Sequence, residues 1–263
     1  MTLQSPNEAV GLEFVGPHLA LVTINRPDAR NAVNGDVAQG IGQAVQQTER
    51  MAEVWATIIT GAGDKAFCSG ADLKEVSNGR LKSLFTAEGG FAGFVHVPRT
   101  KPWIAAVQAT AVAGGFEIAL ACDFIVAADN AKFGLPEVSR GLIAAAGGLY
   151  RLPRVLPRQL ANEVLASGKP LEASRCYELG IINRLVAADR VLAEAIEFAA
   201  EICANAPLAV QESLRVARGC FDKTDAQLRA LSEEAQDRII LTEDFKEGPR
   251  AFVEKRAPRW MGR

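Results

Sequence analysis

The sequence has little of what metal centres, disulfide frameworks and histidine-based catalysis require. Only two histidines, His18 and His96, occur in 263 residues, and they lie far apart. A histidine metal site or a Ser-His-Asp triad therefore lacks candidates. The five cysteines are odd in number, widely spaced and mostly flanked by apolar residues, which indicates neither a disulfide framework nor a C-x-x-C site. We predict no bound metal and expect buried thiols in a reducing compartment.

A large excess of one sign of charge is also absent, and so are long apolar runs. Lys and Arg number 29 against 31 Asp and Glu, a formal net charge of -2, which gives no electrostatic reason to expect nucleic acid or an anionic membrane as partner. No apolar run is long enough to span a bilayer, and the first residues lack the basic and apolar segments of a secretory signal. We expect a cytoplasmic protein that acts on a small molecule, with neither nucleic acid nor membrane as partner.

The residues that are present predict an α/β fold with a large core. Apolar residues make up 49% and charged residues 23% of the chain, as is typical of globular proteins. Alternating residues on either side of Gly16-Pro17-His18 predict a hairpin, and Asn34 is placed to cap a first helix. Strands are predicted near residues 19–24, 54–60, 66–68, 103–107, 124–128 and 181–186. This recurrence of strand, short strand and helix favours stacked ββα units.

Two regions leave alternatives open. Residues 74–100 combine glycines with large apolar side chains, which is consistent with a pocket wall or lid or with simple helical packing. From Val191 onward the pattern is helical, with Pro207 placed to open one helix and Gly248-Pro249 expected to interrupt the last, over residues 243–256. The apolar faces of these helices pack either on another subunit or on the chain's own core.

Two glutamates beside glycines carry the strongest indication of chemistry. The Gly114-Gly115 pair allows close backbone approach, and a helix that begins there points free N–H groups outward, where they can hold a developing oxyanion. Glu117 is expected in the first turn of this helix, and Glu137 where a strand exits into a loop. Two such carboxyl groups can share a water and divide acid and base roles. The alternative is a helix N-terminal acid favoured by the macrodipole and a solvated loop glutamate.

Five stretches of the chain form a recognisable set of motifs. They are Asn25-Arg26-Pro27 with Asn31-Ala32, Ala66 to Lys74, Ile104 to Phe124, Phe133 to Glu137 with Gly141 and Gly147-Gly148, and Glu247 to Arg256. Together they resemble the enoyl-CoA hydratase/isomerase, or crotonase, superfamily over nearly the full length, and most closely an enoyl-CoA hydratase. The resemblance implies a crotonase-like spiral of ββα units over residues 1–195 and a C-terminal helical oligomerisation region over residues 196–263. It also implies a homo-oligomer, a trimer or a dimer of trimers.

The resemblance assigns roles to individual residues. Glu117 and Glu137 become the catalytic acids, and the backbone N–H groups of Ala71 and Gly114 become the oxyanion hole for the thioester carbonyl of an acyl-CoA. Substrate and CoA contacts fall on Ala71, Asp72, Leu73, Lys74, Gly114, Phe252 and Lys255. For Lys255, a solvated helix charge remains the alternative. No cofactor is implied, because coenzyme A is part of the substrate.

Four positions depart from the family pattern. Asp28 stands where many relatives have a basic residue, so a phosphate contact is not expected there. Ala109 replaces a common glycine, and Ala144-Ala145 replace a common Pro-Gly. The added methyl groups can reshape the acyl pocket, but they leave both glutamates and the glycine pair intact.

The presence of both glutamates favours hydration of a 2-enoyl-CoA, because family isomerases typically keep only the acid that matches Glu137. The alternatives are a double-bond isomerase, a crotonobetainyl-CoA hydratase of the carnitine pathway, which the Phe91–Phe94 element resembles, and a non-catalytic CoA- or RNA-binding relative. A nucleotide-binding dehydrogenase is set aside, because Gly61-Ala62-Gly63 lacks the third glycine and the helix of that motif.

Overall fold

A six-stranded, mainly parallel sheet forms the centre of the fold. The computed structural model describes residues 2–263. The strands among these residues are β1 (Val10–Gly16), β2 (Leu19–Ile24), β3 (Ala56–Gly61), β4 (Ala66–Cys68), β5 (Phe85–Thr86), β6 (Gly90–Phe91), β7 (Trp103–Val107), β8 (Thr110–Val112), β9 (Phe124–Ala128), β10 (Lys132–Gly134), β11 (Leu171–Glu172) and β12 (Arg184–Val186). The large sheet has the order β1-β2-β3-β7-β9-β12, in which only β1 and β2 pair antiparallel. All residues of β3 and β7 are buried, as expected for central parallel strands covered on both faces.

A second sheet of short strands carries the chain to the candidate site. Its order is β11-β10-β8-β4, and β4, β8 and β10 run parallel. Because parallel strands end at the same edge, the residues that follow β4, β8 and β10 meet there. From β7 to β10 successive strands alternate between the large and the small sheet, and α3 follows β8, while β5 and β6 pair with each other in a separate two-stranded sheet. The predicted α/β fold of ββα units is confirmed.

Ten helices pack around these sheets and form the end of the chain. They are α1 (Gly35–Arg50), α2 (Leu73–Ser77), α3 (Gly114–Ala121), α4 (Gly148–Val155), α5 (Arg158–Ser167), α6 (Ala173–Glu178), α7 (Val191–Cys203), α8 (Pro207–Arg218), α9 (Asp225–Ile240) and α10 (Glu243–Val253). The predicted cap of α1 is confirmed, since the Asn34 side chain accepts from Val37 N at 3.0 Å. Pro207 opens α8 as predicted. No helix among residues 2–263 is long and apolar enough to cross a membrane.

Three expectations from the sequence are corrected by the structure. The strand expected at 181–186 covers only Arg184–Val186, because Ile181 and Ile182 are buried in the turn that precedes it. The last helix continues through Gly248-Pro249, since proline removes a single N–H donor and the buried Glu247 pairs with Arg250 and Arg256 across this turn. Cys220 is exposed, unlike the buried Cys68 and Cys176.

Part of the region that was predicted to be a wall or a lid, the wall segment of residues 84–95, packs into the core, while residues 74–83 are mostly exposed. Leu84, Phe91, Phe94 and Val95 are buried in the main apolar cluster. Phe91 meets Phe85 edge to face, with ring centroids 5.6 Å apart. This packing makes the segment a fixed wall beside the start of α3.

The C-terminal helices leave much apolar surface uncovered. α7 packs on β3, β7 and β9, and the boundary predicted at 195/196 falls inside this helix. On α9 only Ala235 is buried, while Leu241, Phe252 and Val253 are exposed near α10. Packing of this region on another subunit, and the two-part division of the chain, stay predictions.

Candidate active site

The loops after β4 and β8 meet at the predicted oxyanion hole. Gly70 has a φ of 89°, and a Cβ there would lie 2.9 Å from Gly114 N and 2.8 Å from Ala113 Cβ. Val33 N donates to the Gly70 carbonyl and Asp72 N donates to the Val33 carbonyl. Neither of these two hydrogen bonds involves the N–H of Ala71. The structure therefore brings Gly70, the residue before Ala71, against Gly114 and fixes the loop of Ala71 through the residues on either side.

The start of α3 requires two glycines, because neighbouring parts of the chain leave no space for a side chain at either position. A Cβ on Gly115 would lie 2.6 Å from the carbonyl carbon of Cys68 and closer still to its oxygen, and one on Gly114 would lie 2.5 Å from Cζ of Phe91. The residue before them, Ala113, has a φ of 51°, and its N–H donates to the Gly134 carbonyl at 2.8 Å. The first N–H groups of a helix have no partner within it. The glycines thus let α3 begin directly against β4, with these N–H groups at the edge of the small sheet.

Glu117 lies in the first turn of α3, as predicted, and is 3% exposed. Its Oε1 accepts from Gly148 N at 2.8 Å. Burial, together with the charge of Glu137, raises the pKa of Glu117 to about 7, against the opposing effect of the N–H groups of Gly148 and Ala146 and of the Arg151 guanidinium. A carboxyl group with a pKa near 7 can both accept and give a proton at neutral pH.

Glu137 is also buried, at 9% exposure. It lies on a 3₁₀ turn, Pro136–Arg140, and not in the open loop expected from the sequence. Pro136 starts this turn and Gly141, with a φ of 67°, ends it. Neither carboxylate oxygen has a hydrogen-bond partner among residues 2–263. Burial raises its pKa, against its own backbone N–H and Arg140.

The burial of Glu137 bears on the two interpretations of the sequence. A solvated loop residue is wrong for Glu137, because its side chain is buried, whereas Glu117 does lie in the first turn of α3, and the catalytic roles of both glutamates stay predictions. Buried polar atoms are nearly always hydrogen-bonded. The unpartnered carboxyl of Glu137 is therefore placed to bind a water or a reacting group.

The loop that follows Ala71 divides into buried and exposed residues. Asp72 accepts from Lys74 N as the cap of α2 and pairs with Arg26 at 3.0 Å, so its side chain is only 12% exposed. Arg26 also donates to the Ala32 carbonyl. Asp72 therefore fixes the loop, while Leu73 and Lys74 are exposed. All three residues stay predicted contacts for the substrate.

Phe252 and Lys255 belong to the tail. Phe252 lies near the end of α10 and is 85% exposed. Lys255 follows the helix with a φ of 53° and is also exposed. Their part in binding CoA stays a prediction.

Sequence reasoning missed the groups that hold Glu117. Gly147-Gly148 was noted as a motif, but the hydrogen bond from Gly148 N to the carboxylate has no signal in the sequence, because the two residues are far apart in the chain. A Cβ on Gly148 would lie 2.8 Å from both Ala144 Cβ and Leu135 Cδ1. The alanine that departs from the family pattern thus packs against the turn that holds a candidate catalytic residue. No group of three or more His, Cys, Asp or Glu side chains among residues 2–263 is arranged to hold a metal ion.

Comparisons with known proteins agree on one family. The sequence model of the Enoyl-CoA hydratase/isomerase family matches residues 16–263. The chain is 39% identical over 254 residues to mevalonyl-coenzyme A hydratase of Aspergillus fumigatus, covering 95% of this chain and 93% of that protein. It is 37% identical over 262 residues to carnitinyl-CoA dehydratase of Salmonella typhi, covering 98% and 100%. The structure of a probable enoyl-CoA hydratase/isomerase from Mycobacterium abscessus superposes with a TM-score of 0.91 at 45% identity, covering 98% of this chain and 100% of the other. The chain belongs to the enoyl-CoA hydratase/isomerase, or crotonase, family.

Proposed function

We propose that the protein is an enoyl-CoA hydratase that adds water across the C2=C3 bond of a 2-enoyl-CoA thioester. The observation that carries this proposal is the pair of buried carboxyl groups, Glu117 in the first turn of α3 and Glu137 with no hydrogen-bond partner among residues 2–263. Family membership supports an acyl-CoA thioester as substrate. Retention of both glutamates favours addition of water over simple movement of a double bond.

In this proposal the backbone N–H groups of Ala71 and Gly114 bind the thioester oxygen. Addition at C3 moves the π electrons of the C2=C3 bond toward that oxygen, so negative charge develops there in an enolate-like transition state. Fixed donors need no reorganisation as this charge appears, and loss of one such donor typically costs about 3 kcal/mol. The tight contact of Gly70 with Gly114 supports this role, because it holds both donors on one rigid edge.

The two glutamates accept and donate the protons of the reaction. The water oxygen bonds to C3, and the proton that water loses passes to one carboxylate. The other carboxyl group gives a proton to C2, and the electron pair returns from the oxygen to form the C2–H bond. A carboxyl group whose pKa lies near the working pH can give or accept a proton, and the raised pKa of Glu117, about 7, together with the raised pKa of Glu137 supports these roles.

Crotonobetainyl-CoA is the second candidate substrate. The chain is 37% identical, over nearly its whole length, to a carnitinyl-CoA dehydratase. Hydration of crotonobetainyl-CoA would use the same oxyanion hole and the same two glutamates. The substrate would differ only in the cationic group at the far end of the acyl chain.

A panel of three thioesters tests these proposals. We would incubate the protein with crotonyl-CoA, a 3-enoyl-CoA and crotonobetainyl-CoA, follow the absorbance of the conjugated thioester and identify products by mass. Loss of absorbance with a mass gain of one water from crotonyl-CoA is expected. Good turnover of crotonyl-CoA with none of crotonobetainyl-CoA ends the second candidate. Growth of absorbance from the 3-enoyl-CoA alone, retained in Glu117→Gln, contradicts hydration and indicates an isomerase.

We also propose that the protein is a cytoplasmic homo-oligomer, a trimer or a dimer of trimers. The exposed apolar side chains Leu241, Phe252 and Val253 support this proposal. In such an assembly Phe252 and Lys255 would approach the CoA of a neighbouring subunit. Analytical ultracentrifugation tests the assembly, and a monomer at micromolar concentration would contradict it.

A further inference from the structure

Arg151 joins two segments that surround Glu117. It lies on α4, one turn after the Gly147 cap. Its Nη1 donates to the Ala146 carbonyl at 3.2 Å and its Nη2 to the Val95 carbonyl at 2.5 Å. The guanidinium therefore ties the turn Ala146–Gly148 to the wall segment of the site. Neither the family resemblance nor the proposed mechanism gives this side chain a role.

The turn is shaped to accept the guanidinium. Gly147 has a φ of 122°, a conformation that side chains rarely adopt. A Cβ at this position would overlap Nη1 of Arg151 and lie 3.0 Å from its Cζ. The guanidinium thus lies against the face of the turn, and Arg151 N in addition donates to the Gly147 carbonyl at 2.8 Å.

The same turn holds Glu117. Gly148 N, one residue after Gly147, donates to Glu117 Oε1 at 2.8 Å. The positive charge of Arg151 also favours the ionised form of Glu117 and so lowers its pKa, against burial and the charge of Glu137. Arg151 therefore acts on Glu117 in two ways, through the turn that both side chains contact and through the electrostatic field of its charge. The two side chains form no direct hydrogen bond.

The charged and titratable groups around this pair are few. Glu117 faces Glu137 from the 3₁₀ turn and Arg151 from α4. Arg151 is influenced by Glu117, by Tyr150 and Arg154 on its own helix, and by Cys122 after α3. Arg99, which donates to the carbonyls of Phe94 and Ala121, also faces Arg151.

We propose that Arg151 is a positioning residue for the hydration, and the proposal rests on the function proposed above. It holds the Ala146–Gly148 turn so that Gly148 N–H orients the Glu117 carboxylate, and its charge keeps that carboxylate available as an anion. It does not touch the substrate. Its action on the reaction therefore passes through Glu117.

The first test needs no substrate. Infrared spectroscopy follows the C=O stretch of protonated carboxyl groups as pH is varied, and Glu117→Gln identifies the band of Glu117. In Arg151→Gln we expect the titration midpoint of this band to rise by about one pH unit. Arg154→Gln, which removes a charge one turn further along the same helix, is the matched control and leaves the midpoint unchanged. An unchanged midpoint in Arg151→Gln, or an equal rise in Arg154→Gln, overturns the proposal.

The second test uses crotonyl-CoA. A midpoint that rises by about one unit from about 7 lowers the ionised fraction of Glu117 at pH 7 about fivefold, so we expect Arg151→Gln to lower kcat at least about fivefold with little change in KM, and to move the acidic limb of the pH profile upward. In a Glu117→Gln background the same change is expected to lower kcat no further, because both act through one carboxylate. An equal loss in that background contradicts action through Glu117.

Arg151→Lys separates the effect of the charge from the effect of the geometry. It also keeps the proposal testable if Arg151→Gln does not fold. Lysine keeps the charge but lacks the planar fork that bridges two carbonyls. We expect a near-normal infrared midpoint with kcat reduced severalfold, and a wild-type kcat would overturn the positioning role. If the wild-type protein hydrates no enoyl-CoA, the proposed function fails, while the infrared titration still decides the link between Arg151 and Glu117.

Discussion

Gly115→Ala is expected to damage the fold and the candidate oxyanion hole together. The added Cβ would lie 2.6 Å from the carbonyl carbon of Cys68 and 2.9 Å from its Cβ. Carbon atoms pack best at about 3.5 to 4.0 Å, so α3 and β4 must separate by about 1 Å. Neither element can yield easily, because Cys68 is buried and pairs with Ala111 of β8.

The size of the effect follows from this overlap. Overpacking a core costs typically about 1 to 3 kcal/mol, and the helix propensity that alanine gains over glycine offsets at most about 1 kcal/mol. We therefore expect a net loss of about 1 to 2 kcal/mol. Because the separation moves Gly114 away from Ala71, one oxyanion donor is misplaced. On that basis kcat is expected to fall about 100-fold to 1,000-fold.

Urea unfolding and turnover of crotonyl-CoA measure the two effects. Gly42→Ala in α1 is the matched control, because its Cβ would meet Gly93 O and Thr86 Cγ2 at an ordinary 3.7 Å. We expect it to be as active as wild type and more stable by about 0.5 to 1 kcal/mol. A Gly115→Ala protein with wild-type stability and kcat would refute the argument that this glycine is required by close packing.

Two further predictions concern buried charge. Burial raises the pKa of Glu117 from 4.5 to about 7, so the folded protein holds this proton more tightly than the unfolded chain and loses stability as pH rises from 4.5 to 7. Glu117→Gln is therefore expected to be more stable than wild type by about 3 kcal/mol at pH 8 and similar at pH 4; equal stability at both pH values by urea unfolding would contradict this. Asp72→Asn loses the pair with Arg26 that fixes the oxyanion loop, so we expect kcat for crotonyl-CoA to fall about tenfold. Glu75→Gln, which removes a half-buried carboxylate that pairs with Arg80 and not with Arg26, is the control and is expected to keep the wild-type kcat, and equal kcat values in the two variants would argue against a role for Asp72.

Local signals were enough to predict the first part of the site. The glycine pair and the apolar residues after it predicted a helix with Glu117 in its first turn, and α3 begins at Gly114. Asn34 and Pro207 likewise act within one turn of their own helices. Such features depend on neighbouring residues, so the sequence contains the information directly.

The rest of the site depends on contacts between distant segments. The hydrogen bond from Gly148 N to Glu117 and the bridge from Arg151 to Val95 join residues 31 and 56 positions apart. The short strands β8, β10 and β11 have two or three residues each, too few for an alternating pattern to predict them all. Burial of Glu137 on a 3₁₀ turn also arises only when these strands assemble.

The hydration of crotonyl-CoA by wild type, Glu117→Gln and Glu137→Gln tests the central claim most directly. Each glutamine keeps the shape of its side chain but cannot exchange a proton, and at Glu117 it can still accept from Gly148 N. We predict rapid loss of the conjugated thioester absorbance with wild type, and a rate lowered at least about 100-fold in each variant. Wild-type turnover in either folded variant would contradict a mechanism that needs both carboxyl groups.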